Sequence, residues 1–280
     1  MVNINGFIFK DSNKLLSLEN RGFTYGDSLF ETIKVINEPL FWEYHYFRLM
    51  SSMRILRMDI PMNFTPEYLE KEIMELLKKF DSNCKSFRVK LIVFRKNGGY
   101  YLPNSNHIEY AITAKPLKSN RYILNNEKYE IELFKDFLVS PNLLSTLKTN
   151  NKVTNVIGSI YANENNFDNC LLINTNKNII EALNGNIFIV KDNIIKTPPL
   201  SDGCLNGIVR KKIIEILKGS NEFELEVNSI LSFELQKSDE LFITNVIDGI
   251  NSVTKYRKKN YSNVVCKKLI NKLNNEIGFD

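Results

Sequence analysis

The sequence lacks the residue groupings that mark metal, disulfide and triad-based sites. Its four cysteines are far apart and show no paired spacing, so we predict neither a zinc site nor a disulfide framework. Two histidines are too few for a metal site, and no serine–histidine–acid arrangement can be read from them. Unpaired cysteines fit a reducing compartment, and we therefore expect a cytoplasmic protein. The cysteines are Cys84, Cys170, Cys204 and Cys266.

Long hydrophobic runs and segregated charges are also absent. No window approaches the roughly 18 consecutive apolar residues of a membrane span, and the N-terminus lacks the basic-then-apolar order of a secretion signal. The 37 basic and 32 acidic residues are spread along the chain, apart from a small basic run at 255–259. No aromatic or glycine pattern of a nucleic-acid reader surrounds that run, so we interpret it as a solvated surface. Neither a membrane nor a nucleic acid is predicted as a partner.

What the chain does have is an ordinary globular composition. With 280 residues, of which 43% are hydrophobic and 25% charged, it can bury one large core or two modest ones. A polar, proline-containing segment at 115–121 indicates a domain boundary. We predict a small N-terminal domain over 1–117, a linker over 118–121 and a larger C-terminal domain over 122–280.

Both halves mix strand and helix patterns, which indicates an α/β (α+β) protein. In the first half, we predict strands at 4–9, 15–18 (around a turn at 11–14), 29–36, 87–94 and 108–114, and helices at 44–56 and 67–80. In the second half, we predict strands at 169–173, 186–190, 194–195 and 240–244, and helices at 151–165, 208–218 and 263–273.

Two separated residues could carry cofactor chemistry. Lys148 follows an apolar pair, Leu143 and Leu144, and precedes a helix start, a setting that can desolvate its ammonium group and make it a nucleophile toward an aldehyde. The alternative is a solvated lysine, and Lys152 is a nearby competitor. Glu181 precedes an apolar strand and could accept a charged hydrogen bond from a ring nitrogen, although it could also be an ordinary strand-edge carboxylate.

Three further segments could bind a phosphate. The tetrapeptide 207–210 opens a helix, so the amides of Ile208 and Val209 are available to an anion and Gly207 permits a close approach. Arg48 adds a planar cation, and Asn245 a polar side chain at a strand end. Their alternatives are a surface arginine and a strand-end turn. Together with the lysine and the carboxylate, these groups are what a protein needs to hold pyridoxal 5'-phosphate by its aldehyde, ring nitrogen and phosphate.

The order of these motifs resembles the class IV aminotransferase family, the fold-type IV enzymes that use pyridoxal phosphate. The block Arg21-Gly-Phe-Thr-Tyr-Gly-Asp-Ser is similar to the family's R-[GA]-x-x-[FY]-G-D-[GS] signature. The resemblance implies two domains, a small α/β domain and a larger mixed-sheet domain, with the site between them. It also implies that Lys148 binds the cofactor covalently, that Glu181 pairs with its ring nitrogen, and that Arg48 with the amides of Ile208 and Val209 holds its phosphate. A homodimer with a shared active-site cleft is implied as well.

The substrate signatures of two family branches are missing. Phe30 stands where D-amino acid transaminases have a tyrosine, and the loop 97–101 lacks their Arg-x-His pair. The Tyr-x-Arg-Pro pattern of branched-chain transaminases is replaced by residues 88–91. The run from Lys90 through Arg95 to Gly99 instead resembles the Lys-x-x-x-x-Arg-Gly-x-Gly-Gly run of 4-amino-4-deoxychorismate lyases, which also have an asparagine where this chain has Asn245.

The resemblance therefore implies a pyridoxal-phosphate-dependent lyase that converts 4-amino-4-deoxychorismate to 4-aminobenzoate and pyruvate, a step of folate biosynthesis. The alternative is a class IV transaminase of branched-chain or D-amino acids. Tyr100 departs from the lyase pattern, which often has an arginine there. Because side chains alternate along a strand, we expect only one of Lys90 and Arg95 to point into the site. The substrate-binding candidates are Phe30, Lys90, Arg95 and Tyr100.

Overall fold

The chain forms two compact units. The computed structural model describes residues 1–10, 16–125, 127–220 and 222–279. The first unit comprises Met1–Asn120 and Lys148–Asn151, and the second comprises Arg121–Leu147 and Lys152–Asp280. The division after Asn120 falls inside the predicted linker 118–121. The return of Lys148–Asn151 to the first unit was not expected, and it places the candidate reactive lysine there.

The first unit is built on an antiparallel six-stranded sheet of order β2-β1-β6-β5-β3-β4. Helices α2 and α3 pack on this sheet, mainly against β3 and β6. The elements are β1 Val2–Ile4, β2 Phe7–Phe9, α1 Arg21–Thr24, β3 Ser28–Ile36, β4 Glu38–Pro39, α2 Trp42–Ile55, α3 Pro66–Leu77, β5 Ser86–Arg95 and β6 Ile108–Pro116.

Local sequence signals explain the start and the packing of α3. The Thr65 hydroxyl accepts a hydrogen bond from the Tyr68 amide, and Pro66 occupies the first turn, where its missing N–H costs nothing. Leu69, Ile73 and Leu76 then follow at helical spacing and are fully buried. The helix is therefore fixed at its first turn and along one face.

The N-terminal hairpin differs from its prediction. Its turn is Asn5-Gly6, both with positive φ, and it joins β1 to β2, so the predicted strand over 4–9 is wrong. An Asn-Gly pair adopts the left-handed conformation at both central positions of a tight turn, and this preference overrides the apolar run around it. The turn predicted at 11–14, and residue 15 of the strand predicted after it, lie outside the described residues. Residues 16–18 of that predicted strand are described and form no strand, so this part of the prediction is wrong.

The second unit contains a mixed ten-stranded sheet, in which β7 runs parallel to β8 and β15, and β11 parallel to β12. The main path has the order β12-β11-β10-β9-β8-β7-β15-β16, and β13 pairs with β10 and β14. The elements are β7 Glu130–Val139, α4 Val153–Glu164, β8 Asn169–Asn174, β9 Ile179–Ala182, β10 Gly185–Lys191, β11 Ile194–Thr197, α5 Ile208–Lys218, β12 Glu224–Val227, α6 Ser232–Lys237, β13 Glu240–Asn245, β14 Gly249–Ser252, β15 Lys255–Tyr256, β16 Lys259–Asn260 and α7 Val264–Asn275.

The sheet of the second unit is buried on both faces. Leu171 belongs to an apolar cluster with Ile131 and Ile243, whereas its neighbour Leu172 packs in a second cluster with Phe134. Consecutive residues of β8 therefore enter different cores, which is why this strand reads as a continuous apolar run. The structure confirms the predicted α/β class. Among the described residues, no helix has the length and apolar character needed to span a membrane.

Candidate active site

Lys148 is held by backbone pairing with β3. The Phe30 amide donates to the Lys148 carbonyl over 2.9 Å, and the Asn150 amide donates to the Ser28 carbonyl over 3.1 Å. Leu29 and Thr149 form an antiparallel bridge between these two bonds. Because β3 is itself paired along its length with β5, Lys148 is fixed to a rigid strand and not to a free loop.

The Phe30 ring lies beneath two ammonium groups. Lys148 Nζ is 4.5 Å from the ring centroid, and Lys90 Nζ is 4.7 Å from it, which is the range of cation–π attraction. Lys90 reaches the ring from β5, where it is paired with Thr32. Burial lowers the pKa of the half-buried Lys90, and the charge of Arg88 lowers it further. Three predicted residues thus meet at one aromatic ring.

Arg48 is oriented by a buried carboxylate that sequence analysis did not single out. From α2, Arg48 donates through Nε to Glu31 Oε1 (2.8 Å) and through Nη2 to Glu31 Oε2 (2.5 Å). His45 Nδ1 lies 2.7 Å from Oε2. Glu31 and His45 are both almost completely buried. The signal for Glu31 was its place just after the Arg21–Ser28 signature block, but nothing in the sequence showed what it would contact.

The contacts among Glu31, His45 and Arg48 determine which of these side chains are charged. Burial alone would raise the pKa of Glu31, but the charge of Arg48 and hydrogen bonds from His45 and Arg48 lower it from 4.5 to about 2. Burial lowers the pKa of His45, opposed by its hydrogen bond to Glu31. At neutral pH, Glu31 is therefore ionised and His45 is neutral with its hydrogen on Nδ1. His45 Nε2 has no hydrogen-bond partner among the described residues.

In the second unit, Glu181 is tied to the segment that leads into α5. The Leu205 amide donates to Glu181 Oε2 over 2.8 Å. The carbonyl of the same residue accepts a 2.8 Å hydrogen bond from Asn186 Nδ2. Both the amide and the carbonyl of Leu205 are thus hydrogen-bonded, and this fixes the position of Glu181 on β9.

The first turn of α5 offers an anion-binding position. Gly207 is the N-cap, the first turn carries no acidic residue, and the opening amides of an 11-residue helix have no carbonyl four residues earlier to bind. A Cβ at Gly207 would lie 1.9 Å from Asn186 Oδ1, so steric fit and not a positive φ requires glycine. The predicted helix 208–218 has the bounds that the structure gives it.

Asn245 closes the turn after β13. Its Oδ1 accepts hydrogen bonds from the Ile247 and Asp248 amides, and its Nδ2 donates to Asp248 Oδ2. This is the strand-end turn that the sequence left open as an alternative. A contact between Asn245 and a cofactor remains a prediction.

Arg95 is held by hydrogen bonds to the protein, and its predicted contact with a substrate remains a prediction. It is buried and donates to Asp27 Oδ2 (2.8 Å), to Asn106 Oδ1 (2.7 Å) and to the Leu56 carbonyl (2.7 Å). Its donors are therefore engaged by protein acceptors. Of the two basic residues predicted on this strand, only Lys90 stands beside Lys148 at Phe30. The Tyr100 side chain is 84% exposed.

Residues 28–256 match the family model described as amino-transferase class IV. The chain belongs to the class IV aminotransferases. Members of this family are enzymes that depend on pyridoxal 5'-phosphate. This protein is therefore an enzyme that uses pyridoxal 5'-phosphate. The recognition made from the order of the motifs is confirmed.

Similar proteins of this family have different activities. The chain is 26% identical to a putative branched-chain-amino-acid aminotransferase of Methanocaldococcus jannaschii, covering 94% of this chain and 96% of that protein. It is 26% identical to a D-alanine aminotransferase of Listeria monocytogenes, covering 90% and 86%. It is 25% identical to an aminodeoxychorismate lyase of Vibrio harveyi, covering 85% and 86%. These similarities leave the reaction of this class IV enzyme open.

A solved structure of the family shares the fold. The branched-chain aminotransferase from Thermoproteus uzoniensis superposes with a TM-score of 0.87 at 22% identity, covering 97% of this chain and 92% of that one. At this level of identity the likeness concerns the fold alone.

The residues of each unit fit pyridoxal 5'-phosphate. The first unit provides a half-buried lysine amine and an arginine whose guanidinium is oriented by Glu31. The second provides the Glu181 carboxylate and a helix N-terminus beginning at a glycine that no other residue could replace without a clash. An amine, a carboxylate and two anion-binding groups match the cofactor's aldehyde, ring nitrogen and phosphate. The assignment of each residue to its cofactor atom remains a prediction.

Because Glu31 is buried and paired, the free energy of unfolding should decrease at low pH. Because the pKa of Glu31 is about 2 in the folded protein and 4.5 without these contacts, its contribution is complete above pH 4.5 and is lost as the pH falls toward 2. We expect this loss to reach about 3 kcal/mol in the free energy of unfolding. Urea unfolding of the protein and of Glu31→Gln should show a difference that shrinks between about pH 5 and pH 3. The exposed Glu43→Gln is the control, and an equal Glu31→Gln effect at both pH values would contradict the assignment.

The glycine at the start of α5 should control cofactor affinity. In Gly207→Ala, the new methyl group would displace Asn186, release Leu205 and disturb Glu181. We expect the Kd for pyridoxal phosphate to rise at least about tenfold, measured by absorbance titration of the apoenzyme. Gly219→Ala, at the other end of the same helix and with no atom closer than 3.5 Å, should bind normally. Equal affinities of the two variants would show that the Asn186 contact is unimportant.

Proposed function

We propose that this class IV enzyme is a 4-amino-4-deoxychorismate lyase, which releases 4-aminobenzoate and pyruvate. The observation that carries the proposal is the pair of ammonium groups over Phe30, 4.5 and 4.7 Å from its centroid. One of them, Lys148, is the amine that the cofactor needs. The other, Lys90, is a second cation at the same ring, suited to a carboxylate of a dianionic substrate. The 25% identity to an aminodeoxychorismate lyase is consistent with this assignment.

The cofactor, when bound, supplies an electron sink for the carbon that carries the substrate nitrogen. Arg48 and the first amides of α5 would hold its phosphate, and Glu181 would accept a hydrogen bond from its ring nitrogen and keep that nitrogen protonated. Lys148 would hold the cofactor by its aldehyde group. The Lys148 amine would also serve as the base that removes the proton from the substrate ring carbon that bears nitrogen.

Loss of that proton, cleavage of the ring carbon–oxygen bond and protonation of the departing enolpyruvate to pyruvate leave an aromatic ring. Aromatisation supplies much of the driving force, so the protein mainly needs to orient the ring and neutralise its carboxylates. Phe30 offers a flat apolar face for the ring and has no hydroxyl to hydrogen-bond a small amino acid's carboxylate. Lys90 is the charge that meets a substrate carboxylate.

Transamination is the second candidate, because two relatives at 26% identity are named aminotransferases. It would use the same Lys148, Glu181 and Arg48, with Lys148 as the group that moves the substrate proton. A keto acid would then be released. The choice between the two reactions therefore depends on what the residues around Phe30 admit.

The assay that separates these reactions uses the purified, cofactor-loaded protein and enzymatically generated aminodeoxychorismate. We expect 4-aminobenzoate fluorescence and pyruvate to appear in equal amounts, at a rate that Lys148→Ala abolishes. No product, together with bleaching of the cofactor band by an amino acid, would move the assignment to transaminase.

A matched pair of variants tests the second cation in the same assay. Lys90→Met should raise the KM for aminodeoxychorismate about tenfold or more, because a charged contact to a carboxylate is lost. Arg88→Met changes an exposed residue two positions away on the same face of β5 and should leave the KM unchanged. If both variants behave alike, Lys90 does not contact the substrate.

The homodimer remains a proposal, and a face of α4 supports it. Val153, Val156, Ile157 and Ile160 follow helical spacing and are 36–68% exposed, which is unusual for an apolar stripe. We expect a second copy of the chain to cover it. Sedimentation velocity should show a dimer that Val156→Lys weakens, whereas a monomer at all concentrations would exclude this interface.

A further inference from the structure

The loop after β5 has a rigid base and an exposed tip. Gly98 and Gly99 both have positive φ, and Gly99 bridges back to Pro103. A Cβ at Gly99 would lie 2.2 Å from the Leu102 carbonyl, so the turn is too tight for any other residue. Tyr100 and the two residues after it are 84–92% exposed. The conformation of the base therefore determines the position of the tip.

One buried arginine binds the base of this loop. Arg21, from the N-terminal signature block, is 3% exposed. Its Nη1 lies 3.1 Å from the Gly98 carbonyl, 3.3 Å from the Gly99 carbonyl and 2.6 Å from the Tyr100 carbonyl. Three consecutive carbonyls thus converge on one donor. Without Arg21, these three carbonyl oxygens would face one another with no positively charged donor between them.

Arg21 is in turn fixed by Asp27. Its Nε donates to Asp27 Oδ2 over 3.0 Å, and Arg95 Nε donates to the same oxygen over 2.8 Å. Arg95 also binds the Leu56 carbonyl at the end of α2. Asp27 therefore connects the loop to the helix layer of the first unit through two buried arginines.

Aromatic contacts give Arg21 a second link to the tip. Its guanidinium carbon is 4.8 Å from the centroid of the Tyr25 ring, and Tyr25 contacts the ring of Tyr101 at 6.0 Å between centroids. Backbone and side chains of the loop thus depend on the same residue.

The signature segment that carries Arg21 also positions Lys148. Ser28 and Phe30, directly after Asp27, make the backbone hydrogen bonds to residues 148–150. Gly26 leaves only enough space for Asn151, because a Cβ there would lie 2.0 Å from Asn151 Oδ1. Residues 21–30 therefore hold the loop through Arg21 and the lysine through the start of β3.

We propose that Arg21 is a specificity-determining positioning residue, which sets where the 98–102 loop presents Tyr100 to the substrate while leaving cofactor binding unchanged. The inference rests on the proposed function and on the expectation from the sequence that Tyr100 contacts the substrate. Arg21 acts through the loop carbonyls and does not itself touch the substrate. Its effect should therefore appear in KM and in the mobility of the loop.

The test uses the cofactor-loaded full chain with Arg21→Ala, and Arg88→Ala as an exposed arginine control. We expect amides of residues 98–104 to exchange hydrogen about tenfold faster or more in Arg21→Ala, while those of β3 and the cofactor absorbance stay unchanged. The KM for the substrate found in the function assay should rise about tenfold, with a smaller change in kcat. Added guanidinium ion should restore part of both effects, because it can occupy the vacated space.

A second variant guards against a general loss of folding. Arg21→Lys keeps the charge but cannot donate to Asp27 and to the carbonyls in one plane, so it should show the same KM and exchange changes in a milder form. Unchanged loop exchange and KM in a folded variant would overturn the proposal. So would an equal increase of exchange throughout the first unit with loss of cofactor. The exchange measurement needs no substrate, so failure of the lyase assay with the unaltered protein is a separate result.

Discussion

The placement of Lys148 depends on a few backbone hydrogen bonds between residues 148–150 and the start of β3. These bonds join residues more than one hundred positions apart, and they extend a sheet that β5 and β6 already hold rigid. Because the pairing fixes the lysine backbone, the side chain can lie over Phe30 without depending on a flexible loop. Lys90 lies on β5 of the same sheet, and the loop that Arg21 binds follows the end of β5.

Buried charge is handled differently in the two units. In the first, Glu31 is surrounded by Arg48 and His45, and its full burial is offset by an opposite charge and several donors. In the second, Glu181 is half-buried and receives a backbone amide. The Glu31 carboxylate, with both oxygens engaged by the side chains of Arg48 and His45, orients those two neighbours.

Elements with a strong local signal were predictable from the sequence. Helix α5 lies between Gly207 and Gly219 and has the predicted bounds, and α3 begins at Pro66 as expected. The α/β class and the family also followed from patterns and motif order. The strand Glu130–Val139 was missed because charged residues interrupt its apolar positions. The Asn5-Gly6 turn was missed although its dipeptide is a strong turn signal.

The candidate site was less predictable, because its contacts are long-range. Strand alternation indicated that Lys90 and Arg95 point to opposite faces, but only tertiary structure shows that Arg95 meets Asp27 while Lys90 meets Phe30. The partnership of Glu31 with Arg48 joins β3 to α2, and no local pattern specifies it. The order of the motifs was therefore enough to identify the candidate site residues. The fold was needed to distinguish residues that position other side chains from residues that could take part in the reaction.

The return of residues 148–151 to the first unit has a consequence for how this gene could recombine. The chain passes from one unit to the other after 120, after 147 and after 151. A crossover at the linker would combine one parent's Ser28 and Phe30 with another parent's lysine segment. Their backbone hydrogen bonds would tolerate most substitutions, whereas Gly26 is required by its positive φ of 63°. Exchange of domains between relatives would therefore have to preserve Gly26 and the backbone pairing of the four-residue segment 148–151 with the start of β3.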